Sequence, residues 1–149
     1  MTTTPFFESI YEDPRHMFWF TSVGKETIVK VVLFRPTDQW DTYEMVLGDL
    51  NPDGSIDVEM RSNNGDTEFV LSTAAKAVMF FLSDHLDAQI VIEATTSARA
   101  RLYQITIKKE VEILGDYFDI YGCNDQGLEQ LQSGKNYLKF IVMLRKKID

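Results

Sequence analysis

The residues best suited to chemistry lie in a short segment with two arginines, between a predicted strand and a predicted helix. In Thr95-Thr96-Ser97-Ala98-Arg99-Ala100-Arg101, either Thr96 or Ser97 can cap the helix. The first turn then leaves backbone N–H groups without helical partners, at the positive end of the helix dipole. Arginine adds a planar fork that donates two parallel hydrogen bonds to a phosphate or carboxylate. The segment therefore predicts an anion site that involves Ser97, Arg99 and Arg101.

A second reading of the same segment is purely structural. Ser97 would then only cap the helix, and the two arginines would form salt bridges with some of the many carboxylates. Arg99 and Arg101 are two positions apart and so do not share one helical face.

Another polar group precedes the first predicted helix. Asn63, Asn64 and Asp66 could hydrogen-bond a ligand, although Asn-Gly and a capping Asp also suit a tight turn into a helix. Both clusters of polar residues lie at the start of a helix that follows a strand. They could therefore meet at one end of the sheet and form one polar pocket.

The stretch from residue 49 to residue 57 matches the first nine positions of a calcium loop. Its oxygen-bearing side chains are Asp49, Asn51, Asp53 and Asp57. Position twelve, which needs a bidentate Glu, is Met60, and the flanking residues alternate as strands do. A Pro-Asp-Gly turn between two strands explains the stretch better, so we predict no metal site.

The remaining residues that often do chemistry are few. Cys123 is alone, which excludes an intrachain disulfide and favours an incidental or buried thiol. The two histidines, His16 and His85, are far apart in sequence and lack ligand spacing. We predict that His85, at the end of the first helix, has a partly buried, hydrogen-bonded role or a C-terminal capping role. Nothing in the sequence indicates a cofactor.

The elements that would position these residues follow from hydrophobic periodicity. Strands are predicted at 16–21, 27–34, 41–47 and 56–61, then a helix at 67–85, a strand at 89–94, a helix at 98–113, and strands at 117–122 and 137–145. In the second helix, Tyr103, Ile105 and Ile107 also alternate as a strand would. A polar loop or short helical turn is predicted around 127–134.

The predicted fold is α+β, with element order β-β-β-β-α-β-α-β-β over residues 1–149 as a single globular domain. Two helices pack on one face of a twisted, largely antiparallel sheet of six or seven strands. Residues 1–15 are predicted to be a loosely ordered N-terminal segment.

Three stretches carry a resemblance to a known family. They are Ser62-Asn63-Asn64-Gly65-Asp66, Thr96-Ser97-Ala98-Arg99-Ala100-Arg101-Leu102-Tyr103, and Tyr137 with Phe140 and Arg145-Lys146. The chain resembles, from Phe18 to Lys146, a family of small bacterial proteins with a domain of unknown function. The resemblance implies a similar α+β fold and no particular chemistry. Four strands before a long helix are also similar to half of the whirly and Pur-alpha single-strand-binding folds, which is an analogy of element order.

Charge and composition limit the possible functions. The chain of 149 residues has a formal net charge of −8, and residues 1–60 hold four basic and eleven acidic side chains. Residues 61–149 hold eleven basic and twelve acidic ones, so an anion site is expected in this part. The overall charge argues against non-specific nucleic-acid binding. Without a secretory signal or a long apolar run, we expect a cytoplasmic protein without a membrane partner.

The sequence leaves three functional hypotheses open. The leading one is a non-enzymatic binding or protein-interaction module. The second is a small-ligand protein or enzyme that holds a phosphate or carboxylate group at the start of the second helix. The third is single-stranded nucleic-acid binding, for which Phe18, Trp19 and Phe20 would supply stacking surfaces; the acidic first sixty residues count against it.

Overall fold

Two helices pack on a twisted, mostly antiparallel sheet in the part of the chain that the structure describes. The computed structural model describes residues 11–13, 16–58, 67–113 and 115–146. Its strands are β1 (Tyr11–Asp13), β2 (Met17–Val23), β3 (Thr27–Pro36), β4 (Thr42–Leu50), β5 (Ile56–Asp57), β6 (Gln89–Glu93), β7 (Phe118–Asn124), β8 (Gly127–Gln130) and β9 (Lys139–Leu144). Its helices are α1 (Thr67–Asp84) and α2 (Ser97–Ile113). The predicted α+β fold class is confirmed.

The order of strands in the sheet is β1-β2-β3-β4-β6-β9-β7-β8, and β5 also pairs with β4. Short connections join β2 to β3 and β3 to β4, so these neighbours are antiparallel. Helix α1 lies between β5 and β6 in sequence, and this long connection allows β6 to run parallel to β4. Among the described strands, β4 and β6 are the one parallel pair.

The core lies between the helices and one face of the sheet. Strand side chains alternate between the two faces, so every second residue points to the helices. The largest fully buried side chains of the described strands and helices are Phe18, Phe20, Phe34, Phe81, Phe140, Leu82, Ile90, Ile92, Val31, Val32, Val78 and Val142. Val31, next to Val32 in β3, is buried on the other face of the sheet. Helix α1 contributes residues spaced three and four apart, from Val70 to Leu82, as the sequence predicts.

Helix α2 resolves the ambiguity between a helix and a strand at 98–113. Ala100, Tyr103, Ile107 and Val111 are buried at spacings of three and four residues, whereas Ile105 is half-exposed. A helix buries this set on one face, which a strand of the same sequence would not do. Among the described residues, no helix is long and apolar enough to cross a membrane.

The segment predicted as a polar loop at 127–134 contains a strand. The amide of Gln126 donates to the Asn124 side chain (2.8 Å), and Gly127 has a φ of 126°, which favours glycine. This tight turn pairs β8 with β7. The sequence prediction was wrong here because β8 lies at the sheet edge, where Leu128 is half-exposed and no apolar alternation is needed.

Two other strands also differ from the prediction. Tyr11–Asp13 pairs with β2, although it lies in the predicted loosely ordered segment 1–15. The strand predicted at 56–61 pairs only over Ile56–Asp57, Val58 lies in a bend, and 59–61 are outside the described residues. With β1 and β8, the described sheet has nine strands, more than the six or seven predicted.

A close contact between Gly122 and Tyr137 gives the first testable prediction. A Cβ at Gly122 would lie 2.3 Å from the Tyr137 ring, which is buried and donates its hydroxyl to Glu129. Because this ring has no space to move away, Gly122→Ala should lower the free energy of unfolding by about 1–3 kcal/mol in urea denaturation. In a Tyr137→Ala background the same change should cost clearly less. Equal costs in the two backgrounds would show that this contact is unimportant.

Candidate functional site

A cleft opens where the parallel strands β4 and β6 separate. The two strands pair over three residues, from Thr42 opposite Gln89 to Glu44 opposite Val91. Beyond Glu44, β4 continues and pairs with β5, whereas β6 ends at Glu93. The space between them is a cleft of about 640 Å³, which we call the β4–β6 cleft.

The walls of the β4–β6 cleft come from four elements. Residues 44–47 of β4 and Arg35 of β3 form one wall, with Val58 after β5. The other wall runs over residues 93–95 and continues into α2 with Arg99 and Tyr103. Met45, Leu47 and Tyr103 supply apolar surface, while the two arginines and two glutamates supply charge.

Thr96 determines how α2 begins beside the cleft. Its Oγ1 accepts a hydrogen bond from the Arg99 amide (3.2 Å), and its carbonyl accepts one from the Ala100 amide (2.9 Å). Thr96 is thus the capping residue, one of the two alternatives that the sequence allows. Arg99 and Tyr103, four residues apart, then lie on the same helix face and both reach the cleft.

The charges in the cleft are partly paired. The Arg35 Nη2 lies 3.1 Å from Glu44 Oε1, in an ion pair that is about half-exposed. Burial raises the pKa of Tyr103, and the nearby Arg99 guanidinium opposes this rise through its charge and a hydrogen bond. A guanidinium has five N–H donors, so contact with one hydroxyl leaves donors for an anion.

The structure separates the residues that the sequence grouped into one pocket. Arg99 lines the β4–β6 cleft, but Arg101 lines a different groove on the outer side of α2. Ser97 is exposed, does not line the cleft, and accepts a hydrogen bond from Asn136 at its carbonyl. Successive residues of a helix are about 100° apart around its axis, so Arg99 lies about 200° from both Ser97 and Arg101, which share the other side of the helix. Asn63, Asn64 and Asp66 lie outside the described residues.

The stretch that resembles a calcium loop is a turn between β4 and β5, as the alternative interpretation predicted. Asp53 Oδ1 accepts hydrogen bonds from the amide and hydroxyl of Ser55, which lower the pKa of Asp53. Gly54 has a φ of 89° and donates to the Asn51 carbonyl. Asp49 lies apart from this turn in a buried ion pair with Lys30, and Asp57 is in β5. The four oxygen-bearing residues therefore serve different contacts.

The two histidines are close together in the fold. Their ring centroids are 5.1 Å apart, in a cluster with Tyr43 and Phe81. His85 Nδ1 donates to the Phe81 carbonyl (2.9 Å), which confirms the predicted hydrogen-bonded, half-buried role. In the described part of the chain, no three His, Cys, Asp or Glu side chains are grouped so that they could hold a metal ion.

The aromatic residues at 18–20 are divided between the two faces of the sheet. Phe18 and Phe20 are buried under α1, against Phe80 and Phe69, and offer no surface to a nucleobase. Trp19 is on the opposite face and is partly buried. Cys123 is also partly buried, and its burial raises the pKa of the thiol.

The comparison with known families gives a match that covers most of the chain. The sequence model of DUF6934, a family of unknown function, matches residues 3–145. The chain belongs to DUF6934. This confirms the resemblance to a domain of unknown function. No curated protein matches the chain.

Sequence reasoning found one residue of the cleft in this DUF6934 protein and missed several others. Arg99 was predicted from the start of α2. Tyr103 could have been found because it follows Arg99 by four residues on one helix face. Arg35 and Glu44 face each other in the antiparallel β3–β4 pair, but Glu93 reaches the cleft only through the β4–β6 pairing. That pairing joins segments far apart in sequence, so no local signal indicates it.

Proposed function

We propose that this protein binds a small ligand in the β4–β6 cleft and holds an anionic group of that ligand at Arg99. The observation that carries the proposal is the gap between the parallel strands, which places Arg99 at the wall of a cleft of about 640 Å³. Ligand pockets in proteins commonly have volumes of about 300–1,000 Å³. The proposal joins two hypotheses from the sequence, a binding module and an anion site at the second helix.

The charges on the cleft walls favour a phosphate or a carboxylate as the anionic group. The planar guanidinium of Arg99 can donate two parallel hydrogen bonds to either one. The ion pair of Arg35 with Glu44 uses the other arginine of the cleft, which leaves Arg99 as the cation that best fits a ligand. Glu93 is exposed on the same wall of the cleft as Arg99 and can accept hydrogen bonds from hydroxyl or amino groups of the same ligand.

The apolar part of the cleft limits the rest of the ligand. Met45 is buried, Leu47 is partly buried, and the Tyr103 ring forms part of the same surface. A ligand with an anionic end and a flat or apolar body fits these walls better than a free inorganic ion. Nucleotides and aromatic carboxylates have this combination of groups.

A thermal-shift panel tests the proposal. Nucleotides, sugar phosphates, carboxylates and inorganic phosphate are added in turn, and we expect at least one organic anion to raise Tm, because a ligand that binds only the folded state stabilises it. Arg99→Met should weaken that ligand at least tenfold, since a hydrogen bond to a charged group contributes about 1.5–3 kcal/mol.

The matched control is Arg101→Met, which removes the same charge two residues away, outside the cleft. This variant should keep the affinity of the parent protein. The proposal is contradicted if no compound raises Tm in the parent protein, or if the two arginine variants lose affinity equally.

A further inference from the structure

A second groove, on the outer side of α2, is basic although the protein as a whole is acidic. It has a volume of about 340 Å³ and lies between α2 and the loop of residues 133–136. Its cations are Arg101, Lys108, Lys109 and Lys135, and its one acidic lining residue in the described chain is Glu112. We call it the α2 basic groove. In a chain of formal net charge −8, this concentration of positive charge stands out.

Two of the four cations have no carboxylate partner within the described residues. Lys135 is 2.7 Å from Glu129, and Lys109 is 3.7 Å from Glu68, whereas Arg101 and Lys108 form no such pair there. Arg101 and Lys108 are seven residues apart, so they lie two turns and about 10 Å apart along one side of the helix. This separation suits two charges on an extended chain better than one phosphate group.

Exposed apolar side chains lie between these cations. Ile105, which lines the groove, is 53% exposed, and the adjacent Leu102 is 49% exposed. An apolar residue between two cations matches a peptide that presents an apolar side chain between two acidic ones on the same face. Among the described residues that line the groove, none is aromatic, so it offers no stacking surface for nucleobases.

The wall of the groove is held in place by hydrogen bonds. The side-chain amide of Gln104 donates a hydrogen bond from Nε2 to the Lys135 carbonyl (2.8 Å). Its Oε1 accepts a hydrogen bond from the backbone amide of Tyr137 (3.3 Å). Asn136 donates to the Ser97 carbonyl at the start of α2 (3.2 Å). The loop is thus fixed to the helix before any partner binds, which reduces the entropy that binding must overcome.

We propose that the α2 basic groove docks an acidic segment of a partner protein, with carboxylates at Arg101 and Lys108 and an apolar side chain against Ile105. The complementary charge selects the acidic peptide, and the apolar contact separates it from a nucleic-acid backbone. This surface is distinct from the β4–β6 cleft, so it does not depend on the ligand proposed there.

Fluorescence anisotropy with a labelled twelve-residue peptide tests this inference. The peptide carries Glu and Asp with two Leu residues in its centre. We expect saturable binding that weakens as salt rises, because the contact is largely ionic. The double variant Arg101→Glu with Lys108→Glu should lower the affinity at least tenfold. The double variant Lys25→Glu with Lys146→Glu makes the same charge change at exposed positions outside the groove and should keep the parent affinity.

Further measurements distinguish between the possible partners that could occupy the α2 basic groove. Replacing both Leu residues of the peptide by Ser should weaken binding to the parent protein and have little effect on an Ile105→Ser variant. The proposal is overturned if the parent protein does not bind the acidic peptide, if both double variants lose affinity equally, or if a single-stranded oligonucleotide binds more tightly. It is also overturned if the groove variants abolish a self-association seen by analytical ultracentrifugation and leave peptide binding unchanged.

Discussion

Replacing Asp49 by Ala is expected to lower the free energy of unfolding by about 3–5 kcal/mol, the cost of breaking a buried ion pair from one side. Lys30 Nζ lies 2.5 Å from Asp49 Oδ1, and both side chains are less than a tenth exposed. The pair faces the core, beside Phe20 and Val32. The substitution removes the Asp49 carboxylate from its contact with the buried ammonium, and water cannot take its place there without disturbing the packing. Urea or guanidinium denaturation measures the loss.

Two further variants distinguish the effect of the buried ion pair from a general effect of removing charged residues. Lys109→Ala removes a pair with Glu68 that is 3.7 Å long and mostly exposed, so it should change the free energy of unfolding by less than about 1 kcal/mol. The double variant Lys30→Met with Asp49→Leu should regain most of the stability lost in Asp49→Ala, because apolar residues fill the site without a buried charge. If Asp49→Ala is as stable as the parent protein, the pair does not stabilise this fold.

Phe81→Ala has the other large expected effect, a loss of about 3–5 kcal/mol in the free energy of unfolding. Phe81 is fully buried and stacks on His85 with a centroid distance of 4.0 Å. Its ring also contacts Phe34 at 4.6 Å and Tyr43 at 5.0 Å. Truncation leaves a cavity that these rings cannot close, because strands and helix hold them apart.

Phe80→Ala is the matched control for this prediction, since it makes the same change one position earlier on α1. Phe80 is 39% exposed, so much less of its surface leaves water on folding. Calorimetry should therefore show a clearly smaller fall in Tm for Phe80→Ala than for Phe81→Ala. Similar falls for the two variants would contradict the position of Phe81 at the centre of the core.

Local pattern was sufficient to predict the elements that bury one face. Helix α1 begins at Thr67 as predicted and ends at Asp84, one residue before the predicted end. The strands β3 and β4 were also predicted, because their apolar residues alternate or form a continuous buried run. The α+β class followed from this order of elements.

Elements and contacts that depend on distant partners were harder to predict. Strand β8 is exposed at the sheet edge and carries no apolar alternation, so its pairing with β7 left no signal. The contact between His16 and His85 depends on β2 and the end of α1 meeting across the core. Sequence spacing of 69 positions says nothing about such a contact.

In the candidate site, too, local sequence predicts one residue, whereas the remaining contacts depend on distant parts of the chain. Arg99 could be predicted from capping chemistry, since Thr96, Ser97 and the dipole act over one turn. The grouping of Arg99 with Arg101 was not realised, because helix geometry directs these side chains to separate grooves. The cleft itself exists because β4 changes its partner from β6 to β5 after Glu44, which is a property of the whole sheet.

Two-dimensional NMR of the ¹⁵N-labelled protein tests the central claim, ligand binding in the β4–β6 cleft, most directly. The protein is titrated with inorganic phosphate and with the organic anion that raises Tm most in the thermal-shift panel. We predict saturable shifts of the amides in residues 44–47 and 95–99 with the organic anion, and their loss in Arg99→Met. Shifts confined to residues 101–109 and 133–136, or no saturable shift with any anion, would contradict this claim.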